Sequence, residues 1–143
     1  MKISRILDRK GSYVATVHPD SSIIDAVREL ANRSVGALVV SDDGRGIVGI
    51  VSERDIVRAV SQFGAAILDS PVRMIMSENV FSCSPDDAVD SLMSAMTDRR
   101  IRHIPVVSNG ALAGIVSIGD VVKTCLDELE HEREALEQYI TAR

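Results

Sequence analysis

Two short stretches set a hydroxyl and a carboxylate three residues apart: Ser52-Glu53-Arg54-Asp55 and Ser117-Ile118-Gly119-Asp120. Where a strand gives way to a helix, Ser-x-x-Asp has a purely structural use, the reciprocal capping of orphan backbone amides. It also suits a ligand. A helix amino end gathers N–H donors and the positive end of the dipole around an anion; a serine hydroxyl adds to them, and a carboxylate accepts from the two hydroxyls of a ribose. Those are the groups a nucleoside monophosphate needs. In both places a glycine stands three residues before the serine, giving Gly-Ile-Val-Ser-x-x-Asp at Gly49 to Asp55 and at Gly114 to Asp120. That recurrence favours the ligand reading over a cap alone.

A second chemical feature is the run Arg99-Arg100-Ile101-Arg102-His103-Ile104-Pro105-Val106, the densest cationic cluster in the chain. Successive side chains of a strand point to opposite faces. With Ile101 and the strand from Ile104 buried, some of these basic groups face a cleft, where they would bind an anion, and the others are solvated.

The elements that position these groups also come in duplicate. Pro19-Asp20 recurs as Pro85-Asp86 and Ser52 as Ser117, the second spacing being one residue shorter, so one residue is lost in the turn of the second copy. Further identities at Val14/Val80, Arg33/Arg99, Val40/Val106 and Gly44/Gly110 extend the match over roughly Val14 to Val60 against Val80 to Cys125. Each copy reads as a β-branched strand (Tyr13 to Val17; Val80 to Cys83), then a helix entered through Pro-Asp. The inner face of that helix is Ile23, Ala26, Val27, Leu30 and Ala31 in one copy, Val89, Leu92, Met93 and Met96 in the other. A strand pair follows, Ala37 to Ser41 with Ile47 to Val51 and Ile104 to Val107 with Leu112 to Val116, around turns at Asp42-Asp43-Gly44 and Ser108-Asn109-Gly110. A last helix buries Ile56, Val57 and Val60, or Val121, Val122 and Cys125. Short leading helices, Ile3 to Leu7 and Val72 to Met76, precede the copies, and Gly64 to Pro71 joins them.

The expected fold is therefore mixed α/β (α+β): two β-α-β-β-α units in pseudo-two-fold packing, with related clefts where they meet. Copies of under fifty residues are too small to bury an adequate core separately, which argues for a shared one. The last helix runs on with an apolar series, Val122, Leu126, Leu129, Leu136 and Ile140, interrupted by Arg133. Such a stripe needs a partner, either its own domain or a second chain.

Composition narrows the function. The chain has 143 residues and a net charge of −5, and residues 126–143 hold six acids and two bases, which leaves the body nearly neutral. Duplex nucleic acid is a poor partner for such a surface. No apolar run is long enough for a membrane span and the first residues lack a secretory signal, so a cytoplasmic location is expected. Cys83 and Cys125 stand where the first copy has Val17 and Val60, as small apolar core residues. His18, His103 and His131 are scattered, so no metal site is expected. Ser-x-x-Asp has no paired base, no nucleophile motif is present, and an enzyme is not expected.

The run Gly-Ile-Val-Ser-Glu-Arg-Asp-Ile-Val-Arg from Gly49 to Arg58, Arg-Ile-Arg-His-Ile-Pro-Val-Val from Arg100 to Val107, and Gly114 to Asp120 together resemble a tandem CBS-domain protein over essentially the whole length. The resemblance is to a stand-alone Bateman module, related to the CBS repeats of inosine monophosphate dehydrogenase. It implies CBS repeats with their leading helices at residues 1–68 and 69–125, and a helical extension at 126–143. It further implies an adenine nucleotide in clefts between the repeats, AMP foremost, with ATP, ADP, NAD(H) and S-adenosylmethionine as alternatives. By position Asp55 and Asp120 would hold ribose, with Ser52 and Ser117 near phosphate. Arg102, His103 and Arg54 would contact phosphate, and the backbone near Thr16, Ala37, Ser82 and Ile104 would border the adenine. Because Gly36-Ala37 replaces Arg102-His103 and Ile118-Gly119 replaces Glu53-Arg54, the two clefts are expected to differ.

Such a module is expected to be a non-catalytic sensor of energy or redox state that signals to a protein target by changing its packing. By the same resemblance it pairs into a disc-like homodimer. The alternative is a scaffold in which nucleotide only stabilises the fold.

Overall fold

The computed structural model describes residues 1–142. In chain order its elements are helix α1 (Ile3–Lys10), strand β1 (Thr16–Val17), helix α2 (Ile23–Arg33), strands β2 (Ala37–Val40) and β3 (Gly49–Ser52), and helix α3 (Glu53–Phe63). Two 3₁₀ turns, Ala65–Asp69 and Val72–Met74, lead to helix α4 (Val89–Arg99), strands β4 (His103–Ser108) and β5 (Ala111–Ser117), and helix α5 (Ile118–Thr141). The duplicated β-α-β-β-α order is there, with several differences in detail.

The opening strands are shorter than their sequence suggests. Only Thr16–Val17 pairs with β2, in parallel, while Tyr13 is exposed. In the second copy the counterpart shrinks to one bridge, Cys83 to Val106. The Pro-Asp pairs stand in turns before the helices instead of starting them. Ser22 caps α2, its hydroxyl accepting from the Asp25 amide, and α4 starts at Val89 after Ala88 with no side-chain cap. Both helices end on a left-handed residue at equivalent positions, Ser34 (φ 54°) and Arg100 (φ 55°).

The two strand pairs differ in their turns. Asn109 (φ 53°) and Gly110 (φ 76°) supply the positive φ values that a two-residue hairpin requires. The first copy instead spends residues 41–48 on a loop organised by side chains: Asp43 Oδ1 accepts from the amides of Arg45 and Gly46, each at 2.9 Å, and Ser41 Oγ from that of Gly44 at 2.9 Å. The second leading segment is a single 3₁₀ turn where a helix comparable to α1 was expected.

The leading segments cross over. Ile3 and Ile6 of α1 are buried in the second copy's core with Leu92, Ile104, Val106 and Val116, whereas Val72 is buried in the first copy's core with Ile23, Leu38, Val40 and Val51. Full burial of each such side chain stabilises by roughly 1.5–3 kcal/mol. The motif glycines make room for this exchange. A Cβ on Gly49 would lie 2.7 Å from Met76 Sδ and 2.9 Å from the Ser77 carbonyl oxygen; one on Gly114 would lie 2.6 Å from Leu7 Cδ2.

Val57, Met93 and Val122, expected inside, are exposed, and Ala59 and Thr124 take the inward places beside Ile56 and Val121. Cys83 is buried in the second core and Cys125 packs against it, both as free thiols. The terminal stripe is not covered by its own domain: Val122, Leu126, Leu129, Leu136 and Ile140 are between 51% and 67% exposed. No helix of the described residues is long and apolar enough to cross a membrane.

Candidate functional site

Each Ser-x-x-Asp forms a corner between the end of a strand and the start of a helix. In the first, β3 delivers Ser52 opposite Ala37 of β2. Ser52 Oγ accepts from the Asp55 amide at 3.3 Å, and Asp55 Oδ2 accepts from the Ser52 amide at 2.9 Å and from the Ser52 hydroxyl at 3.0 Å. The capping function is real, then, and it aims the carboxylate. Every one of these bonds to the carboxylate falls on Oδ2, leaving Oδ1 as an acceptor at the corner.

The second corner is built alike but populated differently. Ser117 lies opposite His103 of β4, and Asp120 Oδ2 accepts from the Ser117 amide at 2.8 Å. Beside the Ser117 contacts, Oδ2 accepts from a donor that the first corner lacks, the Lys10 ammonium at the end of α1, at 2.6 Å, which also donates to the Ile115 carbonyl at 2.7 Å. The Asp120 and Lys10 side chains are 25% and 29% exposed, a half-sheltered pair. Burial by itself would raise the Asp120 pKa, but the Lys10 hydrogen bond and the Ser117 amide outweigh it and hold the carboxyl below its ordinary value.

The corners meet across the pseudo-two-fold axis. Gly36 lies against the His103 ring, and the Glu53 carboxylate is close by. Burial pushes the His103 imidazole below its usual pKa; Asp120 and Glu53 pull it up, and Lys10 and Arg102 add to the lowering. The basic run is thus divided. Arg99 stacks over the Phe81 ring at 4.3 Å, Arg100 ends α4, and Arg102 and His103 stand by the seam.

The remaining candidates are more scattered, and Ser82 lies with the turn ends of the strand pairs, away from both corners. Thr16 pairs with Val39, two residues from Ala37 on β2, and is half-buried. Ala37 and Ile104 are buried strand residues, Ile104 completely, and form floor rather than lip. Arg54 is exposed on the first turn of α3. Ser82 lines a cavity of about 280 Å³ between the copies, with Arg45, Gly46 and Ile47 on one side and Glu78, Val80, Val107 and Leu112 on the other.

Sequence reasoning missed Lys10, Glu53 and the Arg45 and Glu78 walls of this cavity. No repeat comparison flags Lys10, since the second leading segment has already left its helix at the matching point and bridges Ser77 to Ile50 as extended backbone. Among the described residues no group of His, Cys, Asp and Glu side chains could hold a metal ion.

Two β-α-β-β-α copies with crossed leading segments and a capped carboxylate corner in each define a tandem-repeat module. Sequence comparison gives the family: the CBS domain profile matches residues 9–62 and 72–127, and the chain belongs to the CBS domain family. Among solved structures, a CBS-domain-containing protein of Agrobacterium tumefaciens is 48% identical with a TM-score of 0.84, covering 87% of this chain and 98% of that one. A CBS domain protein of Pyrobaculum aerophilum, solved in complex with AMP, is 32% identical with a TM-score of 0.75, over 84% of this chain and 89% of that one. The CBS domain pair of protein MJ0100, solved with methylthioadenosine and S-adenosylmethionine, is 26% identical with a TM-score of 0.79, over 90% of this chain and 98% of that one. A mitochondrial CBS domain-containing protein of Arabidopsis thaliana is 38% identical over 125 residues, which are 85% of this chain and 61% of that relative's length.

Proposed function

We propose that the protein is a non-catalytic regulatory module that binds an adenine nucleotide, AMP foremost, and passes on its occupancy to a partner protein as a change in how the repeats pack. The observation that carries this is Asp55, whose carboxylate is fixed by a capping box at a helix amino end while one oxygen is left to accept a ribose hydroxyl. Ser52 can turn its hydroxyl from Asp55 Oδ2 toward a phosphate, beside the first amides of α3. Arg102 and His103 supply positive charge at the seam, and Arg54 supplies it on the outer turn. Thr16 on β1 would border the base, and Ser82 would border it from the cavity that it lines with Arg45 and Leu112. The adenosine compounds bound to the Pyrobaculum protein and to the MJ0100 pair support this ligand class.

The exposed stripe on α5 supports pairing of two chains through that helix, which would make the signalling unit a homodimer. Free thiols at Cys83 and Cys125 fit a reducing compartment such as the cytoplasm.

Calorimetric titration with AMP, ADP, ATP, NADH and S-adenosylmethionine tests the reading. Micromolar-range binding of one of them, weakened by about tenfold or more in Asp55→Ala, is the expected result; heats at background for all five reject it.

The same exposed stripe also favours a second reading, a scaffold that recruits a protein through α5 and uses nucleotide only for stability. Partner capture that survives both Asp55→Ala and Asp120→Ala and ignores nucleotide would favour the scaffold.

A further inference from the structure

The corners differ in what shares the carboxylate. At Asp55 the second donor to Oδ2 is the Ser52 hydroxyl, a rotor that can swing away and open a second acceptor position on Oδ2, beside Oδ1, for a vicinal diol. At Asp120 the serine is joined by a charged ammonium anchored twice, on Oδ2 and on the Ile115 carbonyl. The carbonyl at the equivalent place in the first copy, Ile50, takes a backbone amide from Ser77. Lys10 therefore supplies the edge of β5 with the bond that a bridging strand gives to β3, and in doing so sets its charge on the Asp120 carboxylate.

Lys10 is also held in place by its own helix. Two more basic residues of α1 pair with acidic residues of α5, Arg5 with Glu128 and Arg9 with Asp127. With Ile3 and Ile6 buried beneath, these contacts keep the ammonium at high effective concentration over Asp120.

We propose that Lys10 is a built-in competitor for the ribose diol at the second corner, so that the chain takes up one adenylate at Asp55 and a second only by displacing Lys10 from Asp120. This rests on the ribose reading of the two corners. A diol at Asp55 needs only the rotation of a hydroxyl. A diol that takes both oxygens of Asp120 must break a charge-assisted hydrogen bond on Oδ2, the stronger class of such bonds. It must also leave the Ile115 carbonyl without its partner or move the end of α1. The competitor thus links the second site to the α1–α5 seam: ligand that lifts Lys10 loosens the junction from which the long terminal helix departs.

The test is calorimetric titration of AMP into the full chain and its Lys10→Met and Lys10→Gln variants, whose folding is checked by circular dichroism and melting. The native chain should bind one equivalent, weakened by about tenfold or more in Asp55→Ala. Both Lys10 variants should bind a second equivalent tightened by about tenfold or more, as loss of a charge-assisted contact implies. That equivalent should vanish in Lys10→Met combined with Asp120→Ala. A second step that is unchanged in both folded variants overturns the proposal, and a weakened one shows instead that Lys10 contacts the nucleotide. Absence of AMP binding in the native chain and in every variant rejects the ribose reading itself, and the competitor falls with it.

Discussion

Gly36 lies against the imidazole of His103, so close that a Cβ on the glycine would meet ring atoms Cε1 and Nε2 at 3.0 Å. One copy's strand entry thereby serves as the wall for the other copy's titratable side chain. Gly36→Ala should displace the ring by a few tenths of an ångström, and Gly36→Val by more. The His103 imidazole resonances report this directly: graded shifts across the two variants are expected, and unchanged resonances would contradict the packing.

His103 also predicts a pH dependence. Burial first, then Lys10 and Arg102, hold its folded pKa below the ordinary value of 6.5. The fold favours the neutral ring, so the associated stability is complete above 6.5 and is lost as pH falls below that value toward the folded pKa. A bound phosphate acts in the other direction, since it favours the charged ring, and the complex therefore takes up a proton. AMP affinity should rise as pH falls through the window between the free and bound pKa values, and His103→Ala should flatten it. Parallel titrations of the two chains across pH 5.5 to 8, on the order of the histidine range, check the sign.

The Ser-x-x-Asp corners combine a stability role with a binding role, and substitutions separate them. Ser52→Ala and Ser117→Ala each remove a helix cap worth about 1 kcal/mol, to be seen in denaturant midpoints without nucleotide. Asp55→Ala should lower AMP affinity by about tenfold to a hundredfold, the scale for losing a hydrogen bond to a charged group. Equal effects of Asp55→Ala and Asp120→Ala on the first binding step would contradict the inequivalence of the corners.

Gly49 and Gly114 are identical in the sequence motif and unequal in the structure. A methyl group on Gly49 meets Met76 and the Ser77 backbone, whereas one on Gly114 meets only the end of the Leu7 side chain. Gly49→Ala should therefore destabilise by about 2–3 kcal/mol and Gly114→Ala by about 1 kcal/mol or less, since a side chain can turn away and a carbonyl in a bridge cannot. Chemical denaturation of both variants measures the order.

Cys83 should resist alkylation. Burial, reinforced by the charge of Asp87, pushes its thiol up to about 11. Thiolate is the reactive form, so at pH 8 the folded chain should leave Cys83 unmodified by iodoacetamide and lose that protection in denaturant. Peptide mapping after a timed exposure reads the result.

Much of this architecture was legible in the sequence because it was written twice. Gly-Ile-Val-Ser-x-x-Asp marked both corners, and Asn109-Gly110 marked a hairpin that local turn chemistry alone can dictate. What stayed hidden depended on contacts distant in sequence. Val57 and Val122 carry helical periodicity yet face outward, because the inward places went to Ala59 and Thr124. Tyr13 has the β-branched and aromatic company of a strand but no neighbour to pair with. Lys10 belongs to the Asp120 corner only because α1 packs on the far copy, a relationship no local pattern encodes.

That exchange of leading segments makes each repeat depend on the other: a half cut out with its own leading segment would carry apolar side chains with no groove to receive them and a core left open where the missing ones belong.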